Sequence, residues 1–217
     1  MITCDIPFLA AFGLALVAAA PASAAPSFDC AKAASDVEHA ICELPELQWL
    51  DRQMARLYGF VKAAADEKGR AALVQAQRAF IAERDACEPT YFCIQAAYHA
   101  RLRQLGAMTP FGEPFAVYRM ESGAGADAFL SGELAIVRMG GIGAAQFFTV
   151  GANGHTCVAE FDEGEISGKG NIRATLADAC SIFIEPNGDD MTVSTKGCET
   201  YCGMRASLDG RYDLVQD

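Results

Sequence analysis

Cysteine beside charge is the first chemistry this chain offers. Cys87 ends the stretch QAQRAFIAERDAC (residues 75–87), directly after Arg84 and Asp85. A neighbouring guanidinium lowers a thiol's pKa and makes it a nucleophile. Histidine supplies a second option. His155 and Cys157 in HTC (155–157) stand two apart, a spacing that puts both on one face of a strand and suits a Cys-His pair or a metal site. A third option is GGIGAAQ (140–146), whose glycines suggest a phosphate loop. Carboxylates supply the fourth. Asp162, Glu163, Glu165, Asp189 and Asp190 cluster near turn signals, where paired acids could do general acid–base work.

Context weakens each of these. GGIGAAQ has no βαβ unit around it, so a hairpin turn is the better reading. SGAGAD (122–127) reads as a loop on the same grounds. The chain has three histidines, and CETYC (198–202) stands alone, so a zinc site is not expected. No G-x-S-x-G nucleophile elbow occurs. Acids in turns are usually solvated, so the five carboxylates are expected to be surface groups rather than catalysts. No catalytic residue, metal or cofactor is assigned.

The cysteines are decided by compartment. FLAAFGLALVAAA (8–20) is an unbroken apolar run, too short to span a bilayer but suited to a signal-peptide core. Ala22-Ser23-Ala24 has the small-x-small form of a cleavage site, which places the cut after about Ala24. The preceding MITCDIP carries Asp5 and no cation, which departs from the usual pattern. Nothing further along is apolar long enough to cross a membrane. The expected location is therefore periplasmic or secreted. Export and cleavage would remove Cys4 and leave Cys30, Cys42, Cys87, Cys93, Cys157, Cys180, Cys198 and Cys202. An even set in an oxidising compartment reads as four disulfides. Cys87 is then a staple, and Arg84 and Asp85 need another role.

The elements that would hold these residues fall into two halves. Residues 25–106 read as helical. Ser35 and Glu38 form a capping box in SDVE, opening a short helix to about Cys42. Pro45 suits the first turn of a second helix, where Leu47, Leu50, Met54, Leu57, Val61 and Ala65 make one stripe before Gly69 breaks it. A third helix aligns Leu73, Ala76, Phe80, Arg84 and Cys87, and a fourth aligns Tyr91, Ile94, Tyr98, Leu102 and Leu105. Trp49 reads as a core or rim anchor. Residues 107–217 switch to period two. GELAIVRM, AQFFTVGA, TCVAEFDEG, ISGKGNIRATL, CSIFIEP, DMTVSTKG and GRYDLV read as short strands, with Asn187-Gly188 as a hairpin turn. The expected fold is α+β in two segregated domains: a disulfide-stapled helical bundle, then a small antiparallel sheet or partial barrel. The signal peptide is residues 1–24.

Charge divides along the same line. Residues 26–106 hold 11 acids and 10 bases, whereas residues 107–217 hold 16 acids and 7 bases. An acidic field repels nucleic acid and anionic lipid and steers toward cationic partners.

The helical half resembles a family. Cys30, EHAIC (38–42), Leu47-x-x-Leu50-Asp51, Tyr58, QRAF (77–80), RDAC (84–87), Cys93-Ile94 and Tyr98-x-x-Arg101-x-x-x-Leu105 fall in the order of the LprI-type lysozyme inhibitors. The likeness spans about residues 28–105. It departs at Phe80, where the family commonly has tryptophan, a swap that keeps an aromatic in the core. The resemblance implies an exported helical module with a role against lysozyme, and it supplies no catalytic residues. The leading expectation is a non-enzymatic binding protein whose partner is lysozyme or another basic secreted protein. An acidic loop from the sheet half, with Asp162, Glu163, Glu165, Asp189 and Asp190 as contacts, would occlude the partner's cleft. The alternative is an envelope structural or interaction protein without lysozyme inhibition, and a hydrolase is the distant third.

Within that module Arg84 lies on the buried stripe. It or Asp85 is expected to pair with a charge such as Asp51 or Arg101 and fix helix register. Three disulfide pairings are open for the four helical cysteines. The nested one, Cys30–Cys93 with Cys42–Cys87, suits antiparallel packing. In the sheet half, Cys157–Cys180 and Cys198–Cys202 are the expected pairs.

Overall fold

The computed structural model describes residues 25–120 and 131–216. Residues 1–24, expected to be a signal peptide, and SGAGAD, expected to be a loop, lie outside the described residues.

Four helices come first: α1 (Asp36–Glu43), α2 (Pro45–Ala64), α3 (Glu67–Asp85) and α4 (Tyr91–Gly106). The capping box at α1 is formed. The Ser35 hydroxyl accepts from the Glu38 N–H at 3.1 Å, and the Glu38 carboxylate accepts from the N–H groups of Ala34 at 2.7 Å and Ser35 at 3.3 Å. These N–H donors hold the Glu38 pKa below its usual value. Pro45 sits in the first turn of α2, where its missing N–H has no helical partner to lose. The break after α2 falls at Ala65–Asp66 rather than at Gly69. Asp66 caps α3 by accepting the Gly69 N–H at 2.7 Å, so Gly69 is part of the new helix's first turn.

The stripes bury as periodicity predicts in α2 and α4. Leu47, Leu50, Met54, Leu57 and Val61 are buried, as are Ile94, Tyr98, Leu102 and Leu105. In α3, Leu73, Phe80 and Arg84 are buried, while Ala76 is exposed.

Eight antiparallel strands follow and close into a barrel in chain order: β1 (Phe115–Met120), β2 (Ser131–Met139), β3 (Ile142–Val150), β4 (Thr156–Ile166), β5 (Ile172–Thr175), β6 (Ser181–Asn187), β7 (Asp190–Lys196) and β8 (Gly210–Leu214). The strand pattern predicts a small antiparallel sheet or partial barrel, and FAVYRM adds a further strand, β1, that completes it. β1 pairs with β2 along its whole length and with β8 at Tyr118↔Leu214 and Arg119↔Asp213, and those last pairs shut the barrel. GGIGAAQ is a hairpin: Gly140 and Gly141 turn between β2 and β3 with φ of 56° and 88°. Both lie in the left-handed region that favours glycine. The β6–β7 hairpin turns through Gly188, with φ of 70°, and Asp189, one position beyond the expected Asn187-Gly188, since Asn187 still pairs with Asp190.

Two cores result. One fills the barrel, around Leu134, Ile136, Phe147, Ile182, Ile184 and Tyr212. The other lies between the helices and the barrel's outer wall, where Phe115, Val117, Ala135, Val137 and Ala144 meet the helical stripes. β2 is therefore buried on both faces over Leu134–Val137. That is why GELAIVRM reads as a nearly continuous apolar run instead of a clean alternation.

Among the described residues all eight cysteines are bridged, but in pairings that differ from those expected. They are Cys30–Cys42, Cys87–Cys93, Cys157–Cys202 and Cys180–Cys198. In the helical half each bridge clips one corner. Cys30 lies in a 3-10 turn leading into α1 and Cys42 in the last turn of α1, with Cα atoms 5.9 Å apart. Cys87 and Cys93 clip the α3–α4 corner at 5.5 Å. In the barrel, Cys180 precedes β6 and Cys198 follows β7, two strands that pair, so the bridge ties their ends. Cys202 lies beside β4 in an isolated antiparallel bridge with Cys157. The neighbours Cys198 and Cys202 thus belong to different strand ends, and proximity in sequence misleads.

Candidate functional site

Cys87 is a staple, and the RDAC charges serve the helices. Arg84 is buried, 5% exposed. Its Nε and Nη2 donate to Asp85 Oδ1 at 2.9 and 2.7 Å, and its Nη1 donates to the Tyr98 hydroxyl at 3.3 Å. Tyr98 donates in turn to Asp51 Oδ1 at 2.9 Å, and Asp51 Oδ2 accepts the Ser27 N–H at 2.6 Å. Arg84 therefore pairs with its neighbour Asp85 and reaches Asp51 only through Tyr98. Arg101, the other expected partner, turns to Gln77, donating from Nε and Nη2 at 3.0 and 2.9 Å. Burial works against the Arg84 charge, but Tyr98 and Asp85 outweigh it and hold the guanidinium pKa above its usual value. Burial, with Asp51 beside it, pushes the Tyr98 phenol pKa up. This chain of bonds joins α2, α3 and α4. It presents no free nucleophile.

A second polar set joins the two halves. Trp49, fully buried, donates from Nε1 to the Phe161 carbonyl on β4 at 3.3 Å. Arg52 donates to Asp162 at 3.1 Å and Glu160 at 2.8 Å, Gln53 to Asp162 at 2.5 Å, and Arg56 to the Asp162 carbonyl at 2.7 Å. Burial raises the Glu160 pKa, with Arg52 acting the other way. Two turns of α2 are thus clasped onto one strand of the barrel.

The five acidic candidates fare differently. Asp162 belongs to this clasp and is half-buried. Asp190 is taken by Arg211 and by the Leu214 N–H, which with the guanidinium hold its pKa below the usual value. Glu163 and Glu165 on β4 and Asp189 in the β6–β7 turn are exposed. His155 is exposed, and Cys157 beyond it is bridged. Among the described residues no group of three or more His, Cys, Asp or Glu side chains is placed to hold a metal.

Sequence reasoning missed a groove of about 350 Å³ where the α1–α2 corner and the start of α4 meet the barrel wall. Leu44, Tyr91, Phe92, Ala135 and Phe148 give it apolar surface, and Glu46 and Glu133 give it acid. Phe92 stands 75% exposed, with its ring edge-on to Tyr91 at 5.1 Å. Gln95 Nε2 donates to Glu133 at 2.8 Å and to the Tyr91 hydroxyl at 3.2 Å. Burial raises the Glu133 pKa, opposed by Arg119 and Gln95. Burial first, then Glu46 and Glu133, raises that of Tyr91. One signal was legible: Phe92 falls off the stripe of Tyr91, Ile94, Tyr98, Leu102 and Leu105. The pairing of Glu133 with Phe148 across strands was not.

Known proteins share the helical half. Residues 30–111 match the family model described as lysozyme inhibitor LprI. The protein named Lipoprotein LprI, from Mycobacterium bovis and from two strains of Mycobacterium tuberculosis, is 35% identical over 92 residues. That stretch is 41% of this chain and 45% of each relative, so the chain spans less than half the length of the curated relatives it matches. No solved structure matches the chain. The LprI match covers all four helices and ends before β1, and it contains the Arg84–Tyr98–Asp51 chain. An inhibitor family is consistent with a protein that does no catalysis. The disulfides and the lipoprotein relatives are consistent with an exported protein. Among the described residues no helix is long and apolar enough to cross a membrane.

Proposed function

We propose that this protein is an exported, non-catalytic binding protein that blocks a cationic cell-wall hydrolase of the lysozyme type by occluding its cleft. The LprI match over residues 30–111 carries this reading. The chain's net charge of −11, concentrated in the barrel half, supports it, because opposite charge speeds encounter and favours a basic partner. Of the five acidic residues first considered as contacts, Glu163, Glu165 and Asp189 are exposed, whereas Asp162 and Asp190 already serve internal bonds. The exposed three are the better contact candidates.

A second reading is an envelope interaction protein without lysozyme inhibition. It is favoured by the barrel, which lies outside the LprI match and makes up most of the rest of the chain.

The deciding experiment follows lysozyme-driven lysis of cell-wall substrate as the oxidised chain 25–217 is added, at low and at physiological salt. Saturable inhibition at both salts is the expected result. Inhibition at low salt alone would indicate polyanion attraction. Its absence against every lysozyme type, with the disulfides intact, would favour the interaction protein.

A further inference from the structure

The groove between α4 and the barrel wall combines two properties that an interior surface or a merely solvated face does not need. Its walls are aromatic and partly exposed, with Phe92 75% and Phe148 38% accessible. Its charged groups are two carboxylates, Glu46 and Glu133, beside the amides of Gln95 and Gln146, and among the described residues no lysine or arginine lines it. Glu133 is fixed in place by the Gln95 amide at 2.8 Å, so its second oxygen has a set direction. Arg119 approaches that oxygen at 3.9 Å from β1, beyond the lining, with its side chain 61% exposed. An arginine side chain matches this arrangement. Its stem can lie along Phe148 and Leu44, its planar head can stack against Phe92, and its charge meets Glu133 and Glu46.

We infer that this groove seats an arginine presented by a cationic protein partner, so that the junction of the two halves anchors the partner while the exposed barrel acids Glu163, Glu165 and Asp189 lie at the rim of the contact. The inference rests on the binding role proposed above and names the surface that serves it. It also explains why an inhibitor-like helical module would be joined to a barrel. The LprI-matching half brings Tyr91, Phe92 and Glu46, the barrel brings Glu133 and Phe148, and neither half owns the groove.

Three substitutions test it in the full oxidised chain, with a cationic lysozyme titrated by calorimetry. Phe92→Ser removes an exposed ring, and Glu133→Gln keeps the shape while removing charge. Each is expected to weaken binding by about tenfold or more, as central anchors do. Arg119→Ala removes the competing cation and is expected to tighten binding severalfold, a gain that a purely structural role would not produce. Asp189→Asn, at the barrel turn, is expected to weaken binding less than either and mainly to slow association at low salt, as a rim charge does.

A second probe separates the groove from the lysozyme reading. Hexa-arginine is added while the Gln95 side-chain amide is followed by NMR. A saturable shift that Glu133→Gln abolishes supports the groove even if no lysozyme binds, in which case the lysozyme reading alone fails. Lysozyme binding that Phe92→Ser and Glu133→Gln leave intact, with no Gln95 shift, overturns the groove and leaves the function standing. Failure of both probes overturns both. Sedimentation showing a dimer that Phe92→Ser dissolves would assign the groove to a second copy of the chain and overturn the arginine assignment.

Discussion

The helical half and the barrel half are stabilised in opposite ways. The barrel encloses its own core, apolar apart from the hydroxyls of Tyr212 and Thr149, which donate to the carbonyls of Leu208 and Ser207 at 2.8 Å each. The helices do not enclose theirs. Their stripes need the outer wall of β1–β3 as a floor, and their interior carries a polar chain from Asp85 to Asp51. The bridges follow the same division. Those of the helical half close 12 and 6 residues, and those of the barrel close 45 and 18. The lesson is an asymmetry: the helical half takes part of its core from the barrel's outer wall, while the barrel closes around a core of its own.

The strongest way to break that comparison is at Trp49. Trp49→Ala empties a fully buried site at the joint and removes the bond to Phe161, and it should cost roughly 3–5 kcal/mol. The loss should fall on the helices. Hydrogen exchange should show amides of α2 and α4 opening while those of Phe147 and Ile184 stay protected. Coincident opening of both sets would end the asymmetry.

The bridges sharpen it next. In the chain-entropy view, removing Cys157–Cys202 by double serine substitution should cost about 4 kcal/mol, and removing Cys87–Cys93 about 2 kcal/mol. Urea unfolding of the two variants measures the difference, and an inverted order would mean that the barrel does not depend on its long-range bridge.

Arg84→Ala should cost about 2–3 kcal/mol, because Tyr98 and Asp51 lose the cation that completes their chain. Lysine should not restore it, since one ammonium cannot span Asp85 and Tyr98 with the same fork. An unchanged melting temperature would remove the register role.

The smallest effect concerns the joint's charge and has a pH signature. Arg52→Met leaves the buried Glu160 without its principal cation and should cost about 2 kcal/mol at neutral pH. Burial already holds the folded Glu160 pKa above 4.5, with Arg52 pulling it down, Asp162 pushing it up and Gln146 opposing. Losing Arg52 raises it further. The folded variant then binds more protons than the unfolded chain between the ordinary and the raised pKa, so its stability falls as pH rises through that window. Unfolding at pH 5 and pH 7 should therefore show the larger deficit at pH 7.

The candidate site was only partly legible. Asp162 and Asp190 looked like free acids because a turn signal says nothing about which cation folds back onto it, and here Arg52 and Arg211 do. Phe92 could be seen to leave the helical stripe, yet its partner Phe148 lies on a strand 56 positions away in the chain. Only the packing of α2 and α4 on the barrel wall makes them one surface.

Backbone geometry is local, and what it controls could be read from residue order. The spacing of three and four in α2 and α4, the Ser35–Glu38 cap, the turn at Gly188, the even cysteine set and the LprI pattern all depend on neighbours a few positions apart or on residue identity alone. Tertiary structure decided the rest: which cysteines meet, that Arg84 reaches Asp51 through Tyr98, that FAVYRM closes the barrel, and that the helices borrow its wall as their floor. Each of these depends on which distant segments come within a few ångströms of one another, and periodicity carries no information about that.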